Sequence, residues 1–264
     1  MRQIKRAMTW NPTRYLRFED ERTRPAQDLL ARVTVERATH VVDLGCGPGN
    51  STELLALRFA GATVTGTDSS EAMLERARER LPQCRFELGD VSSWHPTHAP
   101  DLIFANAVLQ WVPDHEQLFP RLFSALAAGG ELAVQMPDNL NEPTHRLMRE
   151  VASVGPWASV IGDAERVRPR IPAADTYYDL LSADASTVDI WRTTYHHPMA
   201  SPADIVDWVR ATGLRPFIDP LTETQRAAFL REYEQRVAEA YPVRADGKRL
   251  LAFPRLFLVA RRKH

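Results

Sequence analysis

Apolar positions fall into short runs separated by stretches with helical spacing, an alternation that predicts βαβ units. Val41 to Leu44, Thr63 to Thr67, Arg85 to Leu88, Leu102 to Ala105 and Glu131 to Gln135 read as five successive strands. Between the second and third, Glu71 to Leu81 sets Met73, Leu74, Ala77 and Leu81 on one stripe with Arg and Glu on the other, the mark of an amphipathic helix. Strands joined by such crossovers lie parallel, with right-handed connections. After Pro137 the pattern loosens. Pro143, Pro156, Pro169 and Pro172 interrupt residues 138–185, where only His145 to Val154 keeps helical spacing, so this stretch reads as a lid. Alternation returns at Thr187 to Tyr195, followed by helices near Ala203 to Thr212 and Thr222 to Tyr241 and a strand at Arg255 to Ala260. The expected fold is α/β: a doubly wound, seven-stranded, mostly parallel sheet with a helical lid inserted after the fifth strand. One domain is expected over 1–264, with cap helices in 1–35, a ligand-binding core in 36–137, the lid in 138–185, and the last two strands with their intervening helices in 186–264.

Composition narrows the functions this fold can serve. A chain of 264 residues, 44% apolar and 25% charged, has the ordinary globular mixture and enough length for one packed core. Its 33 Lys and Arg balance 34 Asp and Glu, so no global positive field draws it to nucleic acid. Two cysteines, Cys46 and Cys84, are too few for a disulfide framework or a Cys-based zinc site, and no metal is expected. The basic leader Met1 to Arg6 is followed by no apolar segment, and no run of ~18 apolar residues occurs, which points to a cytoplasmic protein without a membrane partner.

The chemistry concentrates at Val41-Val42-Asp43-Leu44-Gly45-Cys46-Gly47-Pro48-Gly49-Asn50-Ser51-Thr52, a strand running into a glycine turn and a helix. Ligands of open α/β sheets sit outside such strand ends. The dinucleotide fingerprint spaces its glycines Gly-x-Gly-x-x-Gly and aims bare N–H groups at a pyrophosphate. Here Gly45, Gly47 and Gly49 follow Gly-x-Gly-x-Gly, and Pro48 removes one N–H. An adenosine ligand without phosphates suits this turn better than NAD, and S-adenosylmethionine (SAM) is such a ligand, with Asp43 facing its ammonium group. Asp68, beside Ser69 at the end of the second strand, is placed to accept from both ribose hydroxyls, although an acid there also caps the following helix. Asp90 is placed for the adenine amino group with Val91 over the ring, or else simply closes a turn.

The Asp43 to Gly49 run with Asp68 and Asp90 resembles the cofactor motifs of class I SAM-dependent methyltransferases. The resemblance covers about the first 137 residues and implies a seven-stranded sheet whose last strand is antiparallel. It also implies that Asn106, Gln110 and Trp111 lie at the methionine end of SAM and the face of methyl transfer. Longer stretches are similar to the trans-aconitate 2-methyltransferases: Trp10 to Ala26, Phe104-Ala105-Asn106-Ala107, Gln110-Trp111-Val112-Pro113-Asp114-His115, and Gln135-Met136-Pro137-Asp138-Asn139 with Glu142 to His145. Asp189 to Tyr195, Trp208 to Pro216 and Leu251 to Phe257 extend the likeness over nearly the whole chain; the basic leader and residues 156–174 depart from it. What it implies is SAM-dependent esterification of one carboxylate of a small tricarboxylate, with S-adenosylhomocysteine released.

That chemistry explains an absence. A carboxylate, with a pKa near ~4, is already ionised at neutral pH and needs no general base, so the lack of a Ser-His-Asp or Cys-His arrangement is expected. Positioning then does most of the work, assigned to Trp111, Tyr195 and Arg255. Arginine forks best hold the remaining carboxylates, and Arg24, Arg192 and Arg255 are the candidates, with His145, Tyr178, Trp191 and Tyr195 as further acceptor contacts. Tyr15 and Arg24 are placed to close over SAM. Competing readings are a SAM-binding module without transfer, an NAD(P) oxidoreductase, disfavoured by the glycine spacing, and a methyltransferase of nucleic acid or protein amides. Asn106-Ala107-Val108-Leu109 lacks the Pro-Pro-aromatic run of the last class.

Overall fold

The computed structural model describes residues 19–210 and 212–264, with side chains from residue 23 onward. Tyr15 and the opening of the Trp10 to Ala26 stretch lie outside the described residues. The elements in chain order are α1 (Glu19–Leu30), β1 (His40–Leu44), α2 (Asn50–Arg58), β2 (Thr63–Asp68), α3 (Glu71–Arg80), β3 (Arg85–Leu88), β4 (Leu102–Asn106), α4 (His115–Ser124), β5 (Glu131–Pro137), α5 (Pro143–Val154), α6 (Ala158–Ile161), α7 (Ala174–Ser182), β6 (Ala185–Met199), α8 (Pro202–Arg210), α9 (Arg215–Ile218), α10 (Glu223–Ala240) and β7 (Arg249–Arg262). All seven expected strands form, and the last two run longer than their alternation suggested.

The strands make one sheet in the order β3-β2-β1-β4-β5-β7-β6. β1 pairs in parallel with β2 and β4, β2 with β3, and β4 with β5, whereas β7 is antiparallel to β5. The order reverses between β1 and β4, so a crevice for a ligand opens at their carboxyl ends. Strict two-residue alternation divides the side chains between two cores. Val41, Leu102, Phe104, Ala133, Phe257 and Val259 pack with Ala26, Leu29 and Leu30 of α1 and Leu55 of α2. Val42, Leu44, Ile103, Ala105, Leu132, Val134 and Leu258 pack on the opposite face with Leu118, Phe119 and Leu122 of α4 and Tyr177 and Leu181 of α7. The carboxyl end of α1 is tied down by Arg58, whose two terminal nitrogens donate to the carbonyls of Leu30 and Val33 at 2.6 Å each. The Leu30 carbonyl, at the last residue of α1, has no partner within the helix.

The chain divides into two compact units, one of 22–139, 169–195 and 253–264 holding the sheet, the other including 140–168 and 196–252. The helical unit thus joins stretches far apart in sequence, 140–168 and 196–252 among them. α10 is its axis and buries Phe229, Tyr233 and Val237. Its start is closed by a capping box between Thr222 and Gln225. Tyr233 donates through its hydroxyl to the Thr144 carbonyl at 3.0 Å, and the Thr144 N–H donates to the Tyr241 hydroxyl at 3.2 Å, fixing the amino end of α5. Among the described residues no helix is long and apolar enough to cross a membrane.

Candidate active site

The glycine turn after β1 has a steric reason for its first glycine. Gly45 has φ +68°, and a Cβ there would meet the Val108 side chain at 2.3 Å, so only a bare backbone lets the β1 and β4 loops approach this closely. Asp68 orders the turn from β2, accepting from Gly47 N–H at 2.9 Å through one oxygen and from Ser70 N–H at 2.9 Å through the other. Asp68 therefore bridges the glycine turn to the start of α3, and Ser69 beside it is exposed. Each Asp68 oxygen keeps a lone pair for a further donor.

Asp43 is fully buried beneath this turn. Its Oδ2 accepts from Ser51 Oγ at 2.7 Å and Thr52 Oγ1 at 2.6 Å, while buried Oδ1 has no protein partner. Burial pushes its carboxyl up to about 7 against the pull of those two hydroxyls. An unpartnered buried carboxylate oxygen calls for a donor bearing positive charge, and an amino acid ammonium is such a group.

Sheet register extends this site across neighbouring strands. Asp43 pairs with Phe104, and Phe104 with Ala133; two residues along, Asn106 pairs with Gln135, Gln135 with Phe257, and Pro137 with Arg255. Alternation therefore puts Asp43, Asn106, Gln135 and Arg255 on the same face of the sheet, the one covered by α1 and α2. Asn106 Oδ1 and Gln135 Nε2 are buried without a protein partner. Gln135 Oε1 accepts from Arg255 Nη1 at 3.1 Å. Arg255 is 5% exposed and lies over the rings of Phe253 and Tyr195, 4.9 and 5.9 Å from their centroids. Native proteins rarely leave several buried polar atoms unpaired in one place unless a ligand or an ordered water completes them.

The remaining candidates sort by strand parity. Tyr195 shares the Arg255 face, buried, and donates to Asp28 of α1 at 2.6 Å; burial and the Asp28 carboxylate push its hydroxyl pKa upward. Arg24 lies over the same ring at 5.2 Å and 3.8 Å from Asp28, so three residues of α1 and β6 interlock. Trp191, four residues before Tyr195, stacks on Phe257 with centroids 4.9 Å apart. Arg192 points to the other face and pairs with Asp138 at 2.8 Å, largely exposed.

Segments flanking the strands hold the others. Asp90 is exposed and accepts from both the N–H and the hydroxyl of Ser92, which lower its pKa. Val91 is buried, and its carbonyl accepts from Arg121 at 2.8 Å. After β4, Ala107 holds φ +56°, clamped by its N–H to the Gln135 carbonyl and its carbonyl to Gln110 Nε2, at 2.8 and 2.7 Å. Gln110 Oε1 is buried without a protein partner, and Trp111 is 44% exposed. Beside this turn lies a cavity of about 300 Å³ lined by Gln110, Val112, His115, Arg170 and Ile171. Another, of about 250 Å³, opens at the opposite strand ends, among Thr39, His40, Thr63 and Arg85.

Tyr178 is exposed on α7, while its neighbour Tyr177 is buried and bonds to His115 Nδ1 at 2.6 Å. His145 belongs to the helical unit, buried against Gly213, where a Cβ would come within 2.7 Å of its Nε2. Burial, with the Arg168 and Arg149 cations, holds its pKa well below the usual histidine range. Sequence reasoning did not nominate Gln135, Ser51, Thr52 or Asp28. Only the burial of an amide at a strand end, and hydrogen bonds between separate elements, single them out.

A methyltransferase domain family model matches residues 41–130, the stretch from β1 to the start of β5. Trans-aconitate 2-methyltransferase of Variovorax paradoxus is 65% identical over 97% of this chain and 99% of its own. The enzyme of that name from Paracidovorax citrulli is also 65% identical, over 96% and 98%. Among solved structures, the YcgJ protein of Bacillus subtilis superimposes with a TM-score of 0.58 over 91% of this chain and 99% of its own, at 14% identity, a likeness of fold. With relatives this similar matching nearly end to end, the chain belongs to the trans-aconitate 2-methyltransferase family.

Proposed function

We propose that the protein transfers the methyl group of SAM to one carboxylate of trans-aconitate, giving a monomethyl ester and S-adenosylhomocysteine. The observation that carries this is the polarity of one sheet face. A buried acid without a partner for Oδ1, Asp43, stands at one end and a buried cation, Arg255, at the other. Such a face suits a cationic donor followed by an anionic acceptor. The relatives carrying the trans-aconitate name support the acceptor's identity.

In this reading Asp43 takes the amino end of the cofactor, Asn106 and Gln110 complete its methionine portion, Asp68 accepts from the ribose hydroxyls, and Asp90 and Val91 border the adenine. SAM, when bound, supplies an electrophilic methyl: an acceptor carboxylate oxygen forms the new bond to carbon as the carbon–sulfur bond breaks and its electron pair goes to sulfur. No proton moves, so the chain needs no base. Arg255 holds an acceptor carboxylate with its planar fork, and the Phe253 and Tyr195 rings keep that fork in place. Attack is between opposite charges that cancel, so the residues contribute chiefly by orienting oxygen, carbon and sulfur in line and by excluding water.

The test is incubation with SAM and a panel of di- and tricarboxylates, scored for a base-labile methyl ester. Preference for trans-aconitate is expected. Transfer only to acids that are not tricarboxylates would remove the acceptor assignment, and SAM binding without any transfer would reduce the protein to a binding module.

A further inference from the structure

Gln135 sits at the centre of the polar face, and its orientation is dictated by chemistry. An arginine has donors only, so the side-chain oxygen of Gln135 must be the atom that faces Arg255 Nη1, at 3.1 Å. The amide nitrogen is thereby turned the other way, fully buried and with no protein acceptor. Its register neighbour Asn106 has a buried oxygen equally without a partner, yet the two do not bond to each other. Burying an N–H without an acceptor is destabilising unless a ligand or a water supplies one.

Resting on the methyl-ester reading above, we propose that Gln135 is a specificity-determining contact for the acceptor. Its Nε2–H donates to a carboxylate oxygen of the bound tricarboxylate, next to the carboxylate that Arg255 holds. One amide thus does two tasks: its oxygen fixes the arginine fork, and its nitrogen reads the substrate. A site built to hydrogen-bond a substrate group discriminates against analogues lacking it, because its own polar atom is then left unpaired. An acid without a carboxylate at that position forfeits this contact.

The experiment compares Gln135→Glu and Gln135→Met with the parent protein. Gln135→Glu keeps an oxygen for Arg255 and replaces the donor by an acceptor that repels carboxylate; Gln135→Met keeps the length and removes both polar atoms. We expect KM for trans-aconitate to rise about tenfold or more in both. Kd for SAM, by calorimetry, stays within about twofold, and the kcat/KM preference for the tricarboxylate over a dicarboxylate analogue shrinks. Thermal melts establish that each variant is folded, and calorimetric titration of trans-aconitate into the S-adenosylhomocysteine complex reads acceptor binding without turnover. Unchanged acceptor KM and preference in both variants would overturn the proposal. So would a loss confined to SAM affinity, which would assign the N–H to the cofactor. If the parent protein methylates no carboxylic acid, the functional reading falls and this inference with it; if the parent turns over and the variants match it, the inference alone falls.

Discussion

On the proposed reading, Asp43 is where a single residue couples folding to ligand binding. A buried carboxyl with its pKa raised to about 7 binds a proton more tightly in the folded chain than in the unfolded one. Without ligand, its contribution to stability is therefore present at low pH, declines as pH rises from about 4, and is lost above about 7. A cationic ligand needs the ionised form. SAM affinity should fall by up to about tenfold per pH unit below 7 and level off above it, with protons released on binding at pH 6, as calorimetry in buffers of different ionisation enthalpy would read. Asn at this position should abolish that proton release, weaken SAM binding by more than about tenfold, and raise the Tm of the ligand-free protein at pH 8 by a few degrees. A Tm that falls would refute the view that the ionised acid is a strain in the empty site. At the other end of the face, Arg255→Lys keeps the charge but loses the fork. Acceptor KM should rise at least about tenfold while SAM affinity stays unchanged, which steady-state kinetics and binding would separate.

At the scale of elements, the segment after β4 shows how buried hydrogen bonds place candidate site residues. Leu109 O accepts only, so His115 Nε2, 2.9 Å away, carries the proton and Nδ1 accepts from the Tyr177 hydroxyl. Burial lowers the pKa of His115, keeping the ring neutral. α7 is thereby pinned to α4, and α4 to the turn bearing Gln110 and Trp111. Tyr177→Phe leaves that Nδ1 lone pair buried without a donor. The expected cost is about 1–3 kcal/mol, seen calorimetrically as a Tm lower by roughly 2–10 °C, with SAM affinity near that of the parent. This pairing was not legible in the sequence, because 62 residues separate the partners and a Tyr-Tyr pair on a helix does not announce which ring faces inward. Helical geometry turns successive residues about 100° apart, so only packing decides that Tyr177 is buried and Tyr178 exposed.

At the scale of the whole molecule, ligand binding to the native state alone should stabilise it by mass action. SAM at a hundredfold excess over its Kd should add about 2.7 kcal/mol and raise Tm by roughly 5–10 °C, whereas NADH at the same concentration should leave Tm unchanged. The elements that frame the site were readable beforehand because their signals are local. Alternation marks a strand from its own residues, and Gly45 and Gly49 announce backbone that side chains resist. The helical unit was only partly readable: its second stretch, 196–252, looks in sequence like ordinary helices between two strands, and nothing local joins it to 140–168. Residue order thus settled the strands, the glycine turn and the chemical types at the strand ends, since propensity, periodicity and turn geometry act over a few neighbouring positions. Only pairing in space decided the strand order, the face shared by Asp43, Asn106, Gln135 and Arg255, and the bond that Asp28 accepts from Tyr195. Those depend on register and burial between segments far apart in the chain, which no short-range pattern encodes.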